Sequence, residues 1–209
     1  MIPRERAAGS ALPECELMEY ILASMSPRRK ELLSEMGLSF TVCPADIDEN
    51  IGITDPEMLV KQLALLKAGH IAEKHFGENV IIIAADTVVA YKNEILGKPK
   101  NESDAKRMLK LLSGNTHTVY TGYCCADAKT GLTVARCEAC HVRFREISDE
   151  EIDSYVQSGE PMDKAGSYGI QGGASAFVDG IDGDFSCVVG LPKKALGELL
   201  QSEFTFEGR

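Results

Sequence analysis

The sequence predicts an α/β protein: a mixed β-sheet with helices packed on it. Three observations point there. Residues 80–89 form a β-branched and largely apolar run, the pattern of a central strand. Residues 116–126 and 132–144 are long strand-like segments joined by a turn at 127–131. Helices with legible caps are set between these strands, which calls for a sheet covered by helices.

In chain order, residues 1–19 show no clear periodicity and read as an extension. Residues 20–24 (YILAS) suit a short buried strand. Ser26 is a good N-cap with Pro27 at the first helical position. Leu32, Leu33 and Met36 give that helix its apolar stripe, and Gly37 stops it. Residues 40–43 follow as a second strand and lead into Asp46, Ile47, Asp48 and Glu49. Asp55-Pro56 opens a helix by the same cap logic, with Leu59, Leu63, Leu66 and His70 at helical spacing and Val60 and Ile71 beside them. After the run at 80–89, a turn at Lys92-Asn93 starts a hairpin return through Ile95-Leu96. Ala105, Met108, Leu109 and Leu112 mark a third helix that Ser113-Gly114 ends. Beyond the two long strands, Ser148 and Glu151 form a capping box for a helix carrying Ile152, Tyr155 and Val156, closed by Gly159. Residues 166–190 hold seven Gly and read as loop and strand. Residues 192–200 make a closing helix.

Bulk properties exclude several classes of function. The chain of 209 residues suits one domain, and no Pro/Gly/Ser linker divides it. Its net charge of -10 disfavours non-specific binding of nucleic acid or anionic lipid, so a polyanionic ligand would need a local basic pocket. Seven scattered Cys suggest reduced thiols and a cytoplasmic setting. The first 19 residues show no signal peptide, and the longest apolar run, 80–85, is far below the roughly 18 residues of a membrane span.

Four constellations can carry chemistry. Ser24, Ser26, Arg28, Arg29 and Lys30 stand around a helix start, where stability alone favours acidic residues. A bound phosphate would turn that repulsion into attraction, although a solvated basic turn is the plain alternative. Asp86-Thr87 follows an apolar strand, so Asp86 can sit at a cleft edge as a base or metal ligand, or simply face water. Lys67 falls inside the apolar arc of its helix and either snorkels outward or enters a polar pocket. Lys98, between Gly97 and Pro99, lies in a stiff bend that can aim an ammonium group or form a surface turn. The fourth is the stretch 163–172, with Asp163, Lys164, three Gly and Gln171, which permits close backbone approach and hydrogen bonding to a base edge. Cys137, Cys140 and His141 resemble half a zinc site, but positions three apart in a strand face opposite sides, which fits ordinary thiols.

In this order the pieces LASMSPRRKELLSEMGLSF, AADTVV, ILGKP, LSGNTHTVYTG, GEPMDKAGSYGIQGGASAFV and VVGLP resemble the Maf (septum-formation) family of nucleoside triphosphate pyrophosphatases. The resemblance runs from about Ile21 to Leu200, so residues 20–209 would be one Maf-like catalytic domain behind the extension at 1–19. It implies a two-lobed mixed-sheet fold with a central cleft, similar to inosine triphosphate pyrophosphatases. It implies a homodimer and a divalent cation, Mg²⁺ foremost, with Mn²⁺ or Co²⁺ as alternatives. It assigns Ser24, Arg28, Arg29, Lys67 and Lys98 to the triphosphate and Asp86 to proton acceptance from water. Glu49 would help to bind the cation, together with Asp86, or orient the water. Arg28, Thr87 and Gln171 match the branch of the family that prefers dTTP and UTP, along with modified pyrimidine nucleotides, and not the branch that prefers 7-methyl-GTP. A non-catalytic nucleotide-binding regulator of cell division is the alternative, disfavoured by the retained Asp86. A purine-directed pyrophosphatase is a third reading, against which the SPRR and DT pairing speaks.

Overall fold

The structure is a computed structural model and describes residues 18–204. Residues 1–17 of the expected extension lie outside the described residues, and Glu19 already belongs to the first strand. The strands are β1 (Glu19–Leu22), β2 (Phe40–Val42), β3 (Val80–Tyr91), β4 (Glu94–Leu96), β5 (Thr116–Asp127), β6 (Thr133–Phe144) and β7 (Val178–Asp182). They form one mixed sheet in the order β2-β1-β3-β5-β6-β7, with β4 also on β3. β1 runs parallel to β2 and to the first part of β3; β4 and β5 are antiparallel to β3, and β6 and β7 continue antiparallel.

The helices are α1 (Pro27–Glu35), α2 (Pro56–Lys74), α3 (Glu102–Leu112), α4 (Asp149–Gln157), α5 (Phe185–Val189) and α6 (Lys193–Glu203). Their starts follow the caps in the sequence. The side chains of Ser26, Asp55, Asn101 and Ser148 each accept a hydrogen bond from a first-turn amide, and Ser148 with Glu151 closes a full capping box. Gly37 and Gly159 end their helices with φ of 75° and 76°, a conformation that suits glycine.

Two expectations need correction. The stretch 166–190 contains a helix, α5, beside its loops and β7, because its last part, 184–190, carries Gly only at the helix end and Asp184 caps the start through the Ser186 amide. In α2 the buried stripe is Val60, Leu63, Ala64, Lys67, Ala68 and Ile71, whereas Leu66 is exposed. The buried face therefore mixes the small Ala64 and Ala68 with Val60, Leu63 and Ile71 and is turned away from Leu66.

Each strand shows alternate residues to opposite faces. Ile82, Ala84, Cys124 and Ala126 pack under α2. Ile83, Ala85, Tyr123 and Cys125 pack with residues of α1, α3, α4 and α6 on the other face. The neighbouring thiols Cys124 and Cys125 thus belong to different cores, and burial pushes the Cys124 thiol up to about 12. Cys137 pairs with Gly122 and the buried Cys140 with Val119, again on opposite faces, as expected of strand thiols. Among the described residues no helix is long and apolar enough to cross a membrane.

One contact fixes how α2 sits. A Cβ on Gly122 would lie 2.2 Å from the Val60 carbonyl oxygen and 2.6 Å from the Lys61 amide nitrogen. Helix backbone therefore rests on strand backbone, which only glycine permits. We predict that Gly122→Ala lowers stability by about 1–3 kcal/mol in urea denaturation, because α2 must lift. An unchanged midpoint would show that α2 does not depend on this contact.

The opposite core contains an aromatic cluster of His117, Phe144 and Tyr168 with edge-to-face rings. His117 Nε2 and the Tyr168 hydroxyl are 2.8 Å apart, while Nδ1 has no partner among the described residues. Burial lowers the His117 pKa from 6.5 to about 4. Between those values the unfolded chain binds the proton and the folded chain does not, so stability falls as pH falls through that window. The loss of stability from pH 6.5 to 4 should be smaller in His117→Gln, by about 3 kcal/mol, in urea titrations at each pH. Parallel stability profiles would contradict a neutral buried imidazole.

Candidate active site

The site forms where the sheet leaves an edge open. β1 pairs with Val80–Ile83 of β3, and β4 pairs with Val89–Tyr91. Between them, residues 84–88 of β3 have no strand partner on that side. Here β1 ends, and the chain passes through Ala23 and Ser24 into α1. The connection through α1 lies on one face and that through α2 on the other, so the gap is a switch point at the carboxyl ends of parallel strands, a place where α/β sheets bind ligands. A cleft of about 700 Å³ fills it, lined by Ser24, Arg28, Arg29, Glu49, Lys67, Asp86, Thr87 and Lys98, among others.

Every charged residue of the sequence constellations that was expected to meet a triphosphate reaches this cleft. Five cations line it (Arg28, Arg29, Lys67, Lys98 and Lys164) against three carboxylates (Glu49, Asp86 and Asp163). The local balance is positive on a chain whose net charge is -10. That is the local basic pocket a polyanion requires.

On the α2 face, Lys67 bridges two carboxylates. Its Nζ lies 2.6 Å from Asp86 Oδ1 and 2.7 Å from Glu49 Oε1. Lys67 does not snorkel: only 11% of its side chain is exposed, because Asp86 waits at its tip at the end of the β3 apolar run. Burial acts to raise the Glu49 pKa, but the hydrogen bond from Lys67 and the charges of Lys67, Lys98 and Arg29 outweigh it and hold the carboxyl below its ordinary range.

On the α1 face, Arg29 is strapped down. Its Nε donates to the Gly190 carbonyl at 2.9 Å, Nη1 to Ser24 Oγ at 3.2 Å, and Nη2 to Thr87 Oγ1 at 3.1 Å. All three acceptors are neutral, so the guanidinium keeps its charge uncompensated by direct pairing. Burial lowers its pKa, and the Asp86 charge works against that shift. Ser24 Oγ also accepts from the Ser26 amide, which leaves its own proton to give. The side chains of Arg28 and Lys98 make no hydrogen bond or ion pair among the described residues, and both line the cleft without a direct partner.

Gln171 stands apart. It is exposed and is not among the residues lining the cleft, whereas its neighbours Gly169 and Ile170 are. The Gly-rich loop folds around Glu160, which sequence reasoning did not single out. Tyr155 donates to Glu160 Oε1 at 2.9 Å and accepts from the Gly169 amide at 3.0 Å, and the Gly173 amide donates to Glu160 Oε2 at 3.0 Å. A Cβ on Gly172 would meet Glu160 Oε1 at 2.1 Å. Lys164 donates to the Glu160 carbonyl at 2.6 Å and to Asp163 at 2.7 Å, so it braces the loop. Val88, Val119, Tyr168 and Ile170 add an apolar wall that the motifs did not reveal, since it is assembled from distant segments.

The family model described as "Maf-like protein" matches residues 19–203. A dTTP/UTP pyrophosphatase of Agathobacter rectalis is 48% identical over 200 residues, which cover 88% of this chain and 97% of that protein. A dTTP/UTP pyrophosphatase of Bacillus thuringiensis is 51% identical over 177 residues, covering 84% of this chain and 91% of the relative. Among solved structures, a nucleoside-triphosphatase / dITP/XTP pyrophosphatase from Mycobacterium abscessus aligns with a TM-score of 0.44 and 16% identity, covering 62% of this chain and 76% of the other.

Proposed function

This chain belongs to the Maf family, and on that premise we propose that it hydrolyses dTTP and UTP to the monophosphate and pyrophosphate. One observation carries the reading: the free cations Arg28 and Lys98 line the same cleft as the Asp86–Lys67–Glu49 cluster. A single nucleotide can therefore meet both.

In this reading the triphosphate lies across the start of α1. Ser24, Arg28, Arg29 and Lys98 hold its oxygens, and the amides of the first helical turn add partial positive charge. Asp86 accepts the proton of a water that attacks the α-phosphorus, and pyrophosphate leaves. Lys67, fixed at 2.6 Å from Asp86, keeps that carboxylate aimed into the cleft and adds charge beside the reacting phosphate. Arg29 meets the developing charge without needing to move, since three hydrogen bonds already place it. Recognition of the pyrimidine falls to Arg28 and to the loop that carries Ile170 and Gln171.

A divalent cation fits the donor set. Glu49 and Asp86 already share one positive charge, the Lys67 ammonium, and two carboxylates completed by substrate oxygens suit Mg²⁺, with Mn²⁺ and Co²⁺ as alternatives. When bound, it would neutralise phosphate charge. The odd number of Cys supports a cytoplasmic setting. A homodimer is proposed on family resemblance alone.

Two substitutions test the assignment. Asp86→Asn should cut pyrophosphate release from dTTP by about 10²-fold or more while nucleotide still binds. Turnover near wild type would remove Asp86 from proton transfer. Arg28→Ala should raise the Michaelis constant for dTTP about tenfold, the worth of one charge-assisted hydrogen bond, with little change in kcat. An unaltered constant would take Arg28 out of substrate capture.

A further inference from the structure

We propose that Glu160 is a positioning residue: its carboxylate is the centre around which the chain at 169–173 is wound, and it thereby shapes the wall of the cleft that meets the base. The inference rests on the hydrolase reading above and deepens it.

Two amides frame this loop, and both lead to the one side chain. Glu160 Oε2 accepts from the Gly173 amide at 3.0 Å. Oε1 accepts from the Tyr155 hydroxyl at 2.9 Å, and that hydroxyl accepts in turn from the Gly169 amide at 3.0 Å. The direction of each bond is set, because a carboxylate can only accept and a backbone N–H can only donate. Tyr155 is itself held: it is buried on α4, and its ring stands edge-to-face with Phe177 at 5.3 Å. Between the two anchors the chain carries Ile170, which lines the cleft, and the exposed Gln171.

The same side chain accounts for the glycines. Gly169, Gly172 and Gly173 are not among the residues with positive φ, so their conformation does not call for glycine. Proximity does. A Cβ on Gly172 would lie 2.1 Å from Glu160 Oε1, one on Gly169 3.0 Å from the same oxygen, and one on Gly173 3.4 Å from Oε2 and 3.2 Å from the Tyr155 ring. Three glycines thus bring their backbone up to one carboxylate, as its hydrogen bonds require. A charged acceptor suits this place, since charge-assisted hydrogen bonds are roughly twice as strong as neutral ones. Gly159, with φ of 76°, turns the chain out of α4 and sets Glu160 first in a short 3-10 turn, Glu160–Asp163. Neither Glu160 nor Tyr155 lines the cleft, so both act through the loop and not on the nucleotide.

The test is Tyr155→Phe, which keeps the ring and removes the hydroxyl, beside Glu160→Gln, which leaves one acceptor where two are needed. Steady-state rates are measured for dTTP, UTP, CTP and GTP, with inorganic tripolyphosphate as a competitive inhibitor that carries no base. Each variant should lose about tenfold in its preference for dTTP over CTP, as expected when one charge-assisted hydrogen bond no longer places the loop. The loss should lie in KM for dTTP rather than in kcat. Tripolyphosphate inhibition should keep its wild-type constant, because the cations that hold the phosphates stand outside this loop. An unmoved preference in folded variants overturns the inference. So does a weakening of tripolyphosphate inhibition by the same factor as dTTP capture, which would make Glu160 a brace of the whole cleft, and so does a wild type without preference among bases. Urea midpoints establish folding, and Tyr155→Phe supplies the answer should Glu160→Gln not fold. A wild-type protein that hydrolyses no nucleotide would instead defeat the hydrolase reading, a result seen before any variant is compared.

Discussion

The seat of α2 on the sheet governs much of this molecule. Val60 touches Gly122 backbone to backbone, and Gly122 is the register partner of Asp86. Two helical turns further on, at roughly 1.5 Å per residue, the same helix delivers Lys67 to that carboxylate. A helix held away by ordinary side chains would stop the ammonium short. Ala64 and Ala68 are fully buried between helix and sheet, in keeping with that close docking. The electrostatics of one wall of the cleft are thus set by a missing methyl group on a neighbouring strand.

The opposite wall is organised by neutral acceptors. Arg29 is buried among a carbonyl and two hydroxyls, with no carboxylate in direct contact. Satisfying a guanidinium with neutral groups fixes its direction but leaves its charge to act on what enters the cleft. The Lys67 side works differently, because there cation and carboxylates already neutralise one another. A polyanion meets one wall that is attractive from the outset and one whose charges must be shared anew.

Local chemistry made most of the framework legible before any coordinates. The Ser26, Asp55 and Ser148 caps, the long apolar strand and the hairpin at Lys92-Asn93 each depend on residues within a few positions of one another, and each is where the sequence places it. Lys67 stood out because a charge inside an apolar arc demands a partner. What remained hidden depends on tertiary contact. The buried face of α2 is rotated from the one its Leu spacing suggests, because an apolar helix offers no sign of which face must come closest. In the stretch 163–172 the sequence suggests glycines that admit a ligand, yet Gly169 makes room for Lys164 and Gly172 for Glu160. Thr121 gives no signal in the sequence, since a lone threonine within a strand looks the same whether or not it hydrogen-bonds a residue of the cleft such as Thr87.

The opposite orientation of Asp86 and Thr87 bears on how such a chain can vary over generations. Insertion or loss of a single amino acid within the first half of β3 would exchange the two, turning the carboxylate toward the arginine and the hydroxyl toward the lysine. Pairs of changes that restore parity would still shift both along the strand, away from their partners. Lineages carrying this cleft should therefore keep the length of β3 invariant up to Thr87.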